Sequence, residues 1–158
     1  MAIRNIVQED DPTLHKVCRP VTVFDEHLWQ ILDDMADTLK EADGVGLAAP
    51  QVGILRRYFI MDTDDGILEA INPQIVGKRG TQEGLEGCLS CPGKWGINER
   101  PQKVVMKAQD RYGKIFTYKG EDLMARCICH EYDHLDGILF TQRAKRILTQ
   151  DELEAETK

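Results

Sequence analysis

Apolar residues recur at three- and four-residue spacings in two segments of the chain, which is the pattern of a helix with one buried side. The first segment covers residues 25–42, with Asp25 as the predicted N-cap and Gly44 as the predicted end. The second covers residues 122–135 and closes at Gly137. The pattern therefore predicts one helix near the N-terminus and another near the C-terminus.

Between these helices the chain carries short segments typical of strands. They cover residues 57–61, 67–72, 103–109 and 114–119, and the last two are joined by a hairpin turn at 110–113. A capping box of Thr149 with Glu152 could start a last helix, although the tail after about residue 149 is expected to fray. The order of elements predicts an α+β fold, in which mostly antiparallel strands pack around the second helix.

Composition and charge narrow the class of protein. The chain has 158 residues, 42% of them hydrophobic and 30% charged, which predicts a single domain over residues 1–158. The net charge of −7 argues against nucleic acid as a specific ligand. An export signal and a long apolar run are both missing from the sequence, so we expect a cytoplasmic protein without a membrane partner.

The second predicted helix contains the sequence His130-Glu131-Tyr132-Asp133-His134, a His-Glu-x-x-His motif. Four-residue spacing places both imidazoles on one side of the helix, where they can bind one metal ion, with Glu131 beside them. A catalytic metal site of this kind takes three protein ligands and keeps one position open. The motif therefore predicts a metal centre that needs a third ligand.

Three kinds of residue could supply that ligand. One class of metalloprotease extends the motif to a third histidine, but Phe140 occupies that position here. A second class uses a downstream glutamate, for which Glu152 and Glu154 are the candidates. An upstream thiolate would give a Cys-His-His set suited to Zn or Fe(II). The chain has five cysteines, at positions 18, 88, 91, 127 and 129, and spacing alone does not choose among them.

Three segments of the chain carry further information, namely Gly44 to Gln51, Glu86 to Ser90, and His130 to His134. They resemble the three signature motifs of peptide deformylases and occur in the same order as in that family. Asp11-Pro12 and Asn72-Pro73 are also similar to the bacterial enzymes, so that the resemblance covers essentially the whole chain. It implies a hydrolase that removes the formyl group from N-formylmethionyl peptides and releases formate.

The resemblance also implies the roles of individual residues. The metal ligands would be Cys88, His130 and His134, and Glu131 would be the catalytic acid and base. Two further groups, the Gln51 side-chain amide and the Leu89 backbone N–H, would hold the oxyanion. Substrate-binding residues implied in the same way are Gly44, Val45, Gly46, Glu86, Gly87, Leu123 and Cys127.

The cofactor implied is one divalent metal ion, with Fe(II) as the native ion and Zn, Ni or Co as replacements. The implied partners are formyl-methionyl peptides and nascent chains. Transient contact with the ribosome is compatible with that role, although the acidic tail after Thr149 offers little positive charge for RNA.

Two features depart from this pattern or leave it open. Cys129 stands where the family usually has glutamine, so a hydrogen bond that orients the metal ligands could be lost. The Cys88-Leu89-Ser90-Cys91 spacing is also typical of a redox pair or of half a zinc ribbon.

Two other functions stay open on the residues alone. One is a peptidase that uses Glu152 or Glu154 as a metal ligand, and the other is a non-catalytic module that a metal ion stabilises.

Overall fold

The chain forms two antiparallel sheets and four α-helices over residues 2–157, which this computed structural model describes, with side chains to residue 155. The helices are α1 Glu26–Ala42, α2 Leu123–Leu135, α3 Phe140–Arg143 and α4 Gln150–Thr157. The central sheet has the order β1-β2-β3-β6-β7, with β1 Gly46–Ala48, β2 Tyr58–Thr63, β3 Gly66–Arg79, β6 Lys103–Gln109 and β7 Ile115–Glu121. The second sheet contains β4 Gln82–Glu86, β5 Lys94–Arg100 and β8 Arg146–Thr149. The predicted α+β class is confirmed.

The strand β2 explains how the central sheet is covered on both faces. Four consecutive residues, Tyr58 to Met61, are buried, so side chains on both faces of this strand are covered. Phe59 and Met61 belong to the cluster that includes Ile128 of α2, whereas Tyr58 and Ile60 belong to the cluster of α1. The sheet is therefore packed between the two predicted helices.

The predicted N-terminal helix is confirmed and ends at Ala42 as predicted, but the residue that turns the chain at its end is Asp43 and not Gly44. Asp25 caps the start, since its carboxylate accepts a hydrogen bond from the Leu28 N–H at 3.2 Å. Asp43 takes the left-handed conformation at the end, with φ 54°, which short polar side chains tolerate. Gly44 still contributes to the helix end, because its N–H donates to the Leu39 carbonyl at 3.2 Å, and a Cβ there would lie 2.9 Å from Leu39 Cδ1.

The predicted strands and hairpin are found in the central sheet, with β3 longer than expected. β6 and β7 pair from Lys103 opposite Glu121 to Gln109 opposite Ile115. Their turn is closed by the Asp110 N–H, which donates to the Lys114 carbonyl at 2.8 Å. The turn residues at 110–113 and the strand-like segments beside them were enough to predict the pairing of β6 with β7.

The second sheet was not predicted, because the buried positions of its central strand β5 are not hydrophobic. Along β5 the fully buried residues alternate as Gly96, Asn98 and Arg100. A glycine, an amide and a guanidinium do not produce the apolar alternation by which a strand is recognised. This sheet nevertheless decides where Cys88 lies, since β4 ends at Glu86, two residues before it.

α2 begins and ends close to its predicted bounds, and Gly137 terminates it. Gly137 has φ 76°, its N–H donates to the His134 carbonyl at 3.1 Å, and the Ile138 N–H donates to the Asp133 carbonyl at 2.9 Å. This is the glycine-terminated helix end that the sequence predicted. It fixes the last turn, which carries His134.

We expect Gly137→Ala to destabilise the protein more than the matched variant Gly53→Ala. Both glycines have positive φ, 76° and 84°, so alanine costs about 1–2 kcal/mol of conformational strain at either position. A Cβ at Gly137 would also lie 2.7 Å from the His15 carbonyl carbon, whereas nothing lies within 4 Å of one at Gly53. Urea denaturation measures both free energies of unfolding. Equal losses would show that this contact with His15 is not restrictive.

The last helix, α4, follows the predicted capping box. The Thr149 hydroxyl accepts a hydrogen bond from the Glu152 N–H at 3.3 Å. Most of the described α4 side chains are exposed, and the fraying of this tail stays a prediction. Within residues 2–157 there is no helix with the length and apolar character needed to cross a membrane.

Candidate metal centre

The structure brings together one cysteine and the two histidines of the His-Glu-x-x-His motif. The potential ligand atoms of Cys88, His130 and His134 all lie within 4.8 Å of one another. The Cys88 Sγ is 3.4 Å from the His134 Nε2. α2 supplies both imidazoles from adjacent turns, and the loop after β4 supplies the sulfur.

The other candidates for a third ligand lie elsewhere or serve packing. Phe140 stacks on the His130 ring, with centroids 5.8 Å apart, and therefore packs against one face of that imidazole. Glu152 and Glu154 are exposed on α4. Within the described part of the chain, neither glutamate joins the cluster of the three ligand atoms.

Glu86 fixes the orientation of His130. Its Oε1 lies 2.9 Å from the His130 Nδ1, which leaves the other ring nitrogen free to bind a metal. Arg100 donates to both carboxylate oxygens at 3.0 Å, and Arg126 donates to Oε2 at 3.2 Å. Burial alone would raise the pKa of Glu86, but the hydrogen bonds from His130 and Arg100 outweigh it and lower the pKa to about 2.

These contacts show an arrangement of Glu86 that the sequence did not predict. Glu86 borders the cavity, as expected of a substrate-binding residue, and four hydrogen bonds occupy its carboxylate. The side chain thus holds the His130 ring in place, and the substrate-binding role of Glu86 stays a prediction. Sequence reasoning also missed Arg100 and Asp133, which are joined by a 2.8 Å hydrogen bond beneath the site. The sequence alone gave no sign of this pair, because Arg100 on β5 and Asp133 on α2 are recognised as buried charged residues only in the structure.

Glu131 lies buried at the inner end of the cavity, with 4% of its surface exposed. Burial raises the pKa of its carboxyl to about 7. In the described part of the chain its Oε1 has no hydrogen-bond partner. A Cβ at Gly46 would lie 2.6 Å from the Glu131 Oε2, so only glycine lets this backbone approach the carboxylate.

Gln51 lies beside the cluster, with its amide held at both ends. Its Oε1 accepts from the Ala48 N–H at 2.9 Å. Its Nε2 donates to the Ser90 hydroxyl at 3.1 Å and lies 3.4 Å from the Cys88 Sγ. Donation to an oxyanion would therefore require the exchange of one of these two contacts.

A cavity of about 460 Å³ opens onto the cluster, and the predicted substrate and catalytic residues border it. These are Gly44, Val45, Gly46, Gln51, Glu86, Gly87, Leu89, Leu123, Cys127 and Glu131. Cys88 and His130 also line it, whereas His134 lies behind them. The prediction missed Leu85 and Trp95, which line the wall from the second sheet.

The residues of the cluster suit a resident divalent cation. A thiolate and two imidazoles form a donor set of mixed softness, as Zn and Fe(II) accept. Burial lowers the pKa of His134 well below its ordinary value, which keeps the imidazole neutral as metal binding requires. The unpartnered buried oxygen of Glu131 would gain a partner in a water molecule beside the cation.

We expect Glu86→Ala to lower the free energy of unfolding by about 3–5 kcal/mol, because it deprives the buried Arg100 and Arg126 of their shared carboxylate. The matched control is Glu121→Ala, since the Lys103–Glu121 pair is more than half exposed and separated by 3.6 Å. Its loss should cost less than about 1 kcal/mol. Urea denaturation of the metal-free proteins compares them, and similar losses would contradict a structural role for Glu86.

The chain is similar to known proteins over nearly its whole length. The family model described as polypeptide deformylase matches residues 3–150. A peptide deformylase of Caldicellulosiruptor bescii is 51% identical and one of Caldanaerobacter subterraneus subsp. tengcongensis 53%; each alignment covers 98% of this chain, and 93% and 97% of the relative. The crystal structure of peptide deformylase from Thermotoga maritima superposes with a TM-score of 0.90 at 39% identity, over 92% of this chain and 100% of that one. This chain therefore belongs to the peptide deformylase family, hydrolases that remove the N-formyl group from nascent peptides.

Proposed function

We propose that this chain hydrolyses the formyl group of N-formylmethionyl peptides with one divalent cation held by Cys88, His130 and His134. The observation that carries the proposal is the approach of these ligand atoms within 4.8 Å at the inner end of an open cavity. We further propose that residues 1–158 form one catalytic domain, which the family match over 3–150 supports.

The cation, when bound, supplies the Lewis acid that polarises the formyl carbonyl and makes a water molecule nucleophilic at neutral pH. We propose Fe(II) as the native ion and Zn, Ni or Co as functional replacements. The mixed sulfur and nitrogen donor set supports this choice, since it accepts all of these ions.

Glu131 would move the proton. Its carboxylate would accept a proton from the attacking water and deliver it to the amine nitrogen as the C–N bond breaks. Burial raises the pKa of this carboxyl, which makes it a stronger base for the first transfer. A nearby cation would favour the ionised form, the form required for the first transfer.

Gln51 and Leu89 would hold the oxygen of the tetrahedral species. The Gln51 amide already lies 3.4 Å from the Cys88 Sγ and can donate without adding a charge beside the cation. Leu89 directly follows Cys88, so its backbone N–H adjoins the same position. Donors held next to the reacting atoms stabilise developing charge, and the Gln51 amide would do so after it exchanges its contact with Ser90 or Cys88.

The remaining cavity residues would bind the peptide. Val45, Leu123 and Cys127 offer an apolar wall for a methionine side chain. The backbone of Gly44, Gly46 and Gly87 would approach the peptide backbone closely. We propose nascent chains in the cytoplasm as the substrates, with transient contact at the ribosome.

Formate release from formyl-Met-Ala-Ser by the metal-loaded protein tests this function. Acetyl-Met-Ala-Ser is the matched control. Its acyl group carries a methyl group in place of the formyl hydrogen, and this extra bulk would lie between Glu131 and Gln51. We expect formate from the first peptide and little hydrolysis of the second. Metal-loaded protein that releases no formate, or that cuts an internal peptide bond instead, would overturn the proposal.

A further inference from the structure

Cys91 lies beside Cys88, although the proposed reaction gives Cys91 no role. Cys88 packs against the buried cluster to which Cys91 belongs. The backbone between them forms a tight turn, in which the Cys91 N–H donates to the Cys88 carbonyl at 3.0 Å. Such a turn brings its first and last Cα atoms within about 7 Å, close to the range of about 4.4–6.8 Å that a disulfide spans. The loop therefore permits a Cys88–Cys91 bond without rearrangement of the sheets.

The two sulfurs differ in access. Cys91 is 1% exposed and packs among Leu14, Leu139 and Phe140. Cys88 is only partly buried, and both cysteines border the cavity. A small oxidant that enters the cavity therefore meets the more exposed Cys88 first, with Cys91 beside it.

The other three cysteines are less suited to this pairing. Cys18, Cys127 and Cys129 all belong to the core cluster between α2 and the central sheet, and no turn joins them to Cys88, although Cys127 also borders the cavity. Cys91 belongs to a separate cluster beside the loop that carries Cys88. The turn thus selects one partner for Cys88 from the four remaining thiols.

We propose that Cys91 is a resolving thiol that converts oxidised Cys88 into a reversible disulfide. A hydroperoxide first transfers one oxygen atom to the Cys88 sulfur, which gives a sulfenic acid and leaves the reduced product, water or an alcohol. The Cys91 sulfur then attacks the Cys88 sulfur, the S–O bond breaks, and the hydroxide leaves with the thiol proton as water. Both cysteines are oxidised by one electron each, and the hydroperoxide is reduced by two.

The disulfide would have two consequences. It would remove the sulfur from the metal site, a consequence that rests on the proposed function of Cys88. It would also stop oxidation before the sulfinic and sulfonic acids, which cellular thiols do not reduce. A dithiol would then restore the free Cys88 and with it the metal site.

Hydrogen peroxide treatment of the full chain, with zinc bound and after chelation, tests this inference by mass spectrometry. The chelated wild type should lose the mass of two hydrogen atoms and yield a peptide that links Cys88 to Cys91. Zinc should slow this change, and dithiothreitol should reverse it and restore zinc binding. Cys91→Ala should instead gain the mass of two or three oxygen atoms on Cys88 and fail to recover zinc binding. Cys18→Ala, the matched loss of a buried thiol, should behave like the wild type.

The outcomes separate the two proposals. Wild type that is overoxidised at Cys88 as fast as Cys91→Ala, or that pairs Cys88 with another cysteine, would overturn the resolving role. A Cys88–Cys91 disulfide that leaves zinc binding intact would support the resolving role and overturn the proposed ligand role of Cys88.

Discussion

Replacement of Cys88 by alanine is expected to abolish metal binding and formate release together. The structure brings one sulfur and two imidazoles to a common centre, and removal of the sulfur leaves two neutral ligands. A catalytic site of this kind depends on three protein ligands, and a thiolate is the only charged one here. Metal analysis after dialysis should fall from one ion per chain to background, and turnover should fall with it.

Cys18→Ala is the matched control for this prediction, because it removes a buried thiol from the core cluster and leaves the site intact. It should keep its metal and its activity. The peptidase alternative makes the opposite prediction. Under that reading, Cys88→Ala would retain the metal, and Glu152→Ala or Glu154→Ala would lose it.

Glu131→Ala is expected to keep the metal but to lower kcat by about 10²–10⁴, the usual contribution of general acid and base catalysis. The carboxylate lies beside the ligand cluster without belonging to it, and one of its oxygens has no partner among the described residues. Its loss should therefore affect proton transfer more than metal retention. Steady-state kinetics with parallel metal analysis measures both effects.

Glu131→Gln controls for packing, since it keeps the shape of the side chain and removes only its ability to accept the proton. It should be as slow as Glu131→Ala. Activity near that of the wild type in Glu131→Gln would remove proton transfer from the role of this residue. Loss of metal in both variants would show that Glu131 acts through the ligands instead.

The elements that the sequence predicted depend on local signals. α1, α2 and the β6–β7 hairpin are specified by side-chain periodicity and by caps or turns a few residues away. The motif of His130 and His134 is of the same kind, since one helix presents both rings. Such features need no knowledge of distant contacts.

The features that the sequence did not predict depend on contacts between distant residues. Arg100 is buried because Glu86 and Asp133 surround its guanidinium, and those residues lie 14 and 33 positions away. The sequence of a strand with such a residue on its buried face lacks the alternation of apolar and polar residues, so it is taken for an exposed polar segment. The second sheet was missed for this reason, and with it the positioning role of Glu86.

The choice of Cys88 as third ligand depends on a distant contact, yet it could be made from the sequence. Cys88 is separated from His134 by 46 positions, and spacing gave no reason to prefer it over four other cysteines. Resemblance to the family selected it. The 3.4 Å approach of its sulfur to the His134 Nε2 now supports that choice on geometry.

X-ray absorption spectroscopy of the zinc-loaded protein tests the central claim most directly, because it counts the ligands of the metal by element. We expect one sulfur and two imidazole nitrogens, with the remaining coordination from water. A metal surrounded only by nitrogen and oxygen, or by more than one sulfur, would contradict it.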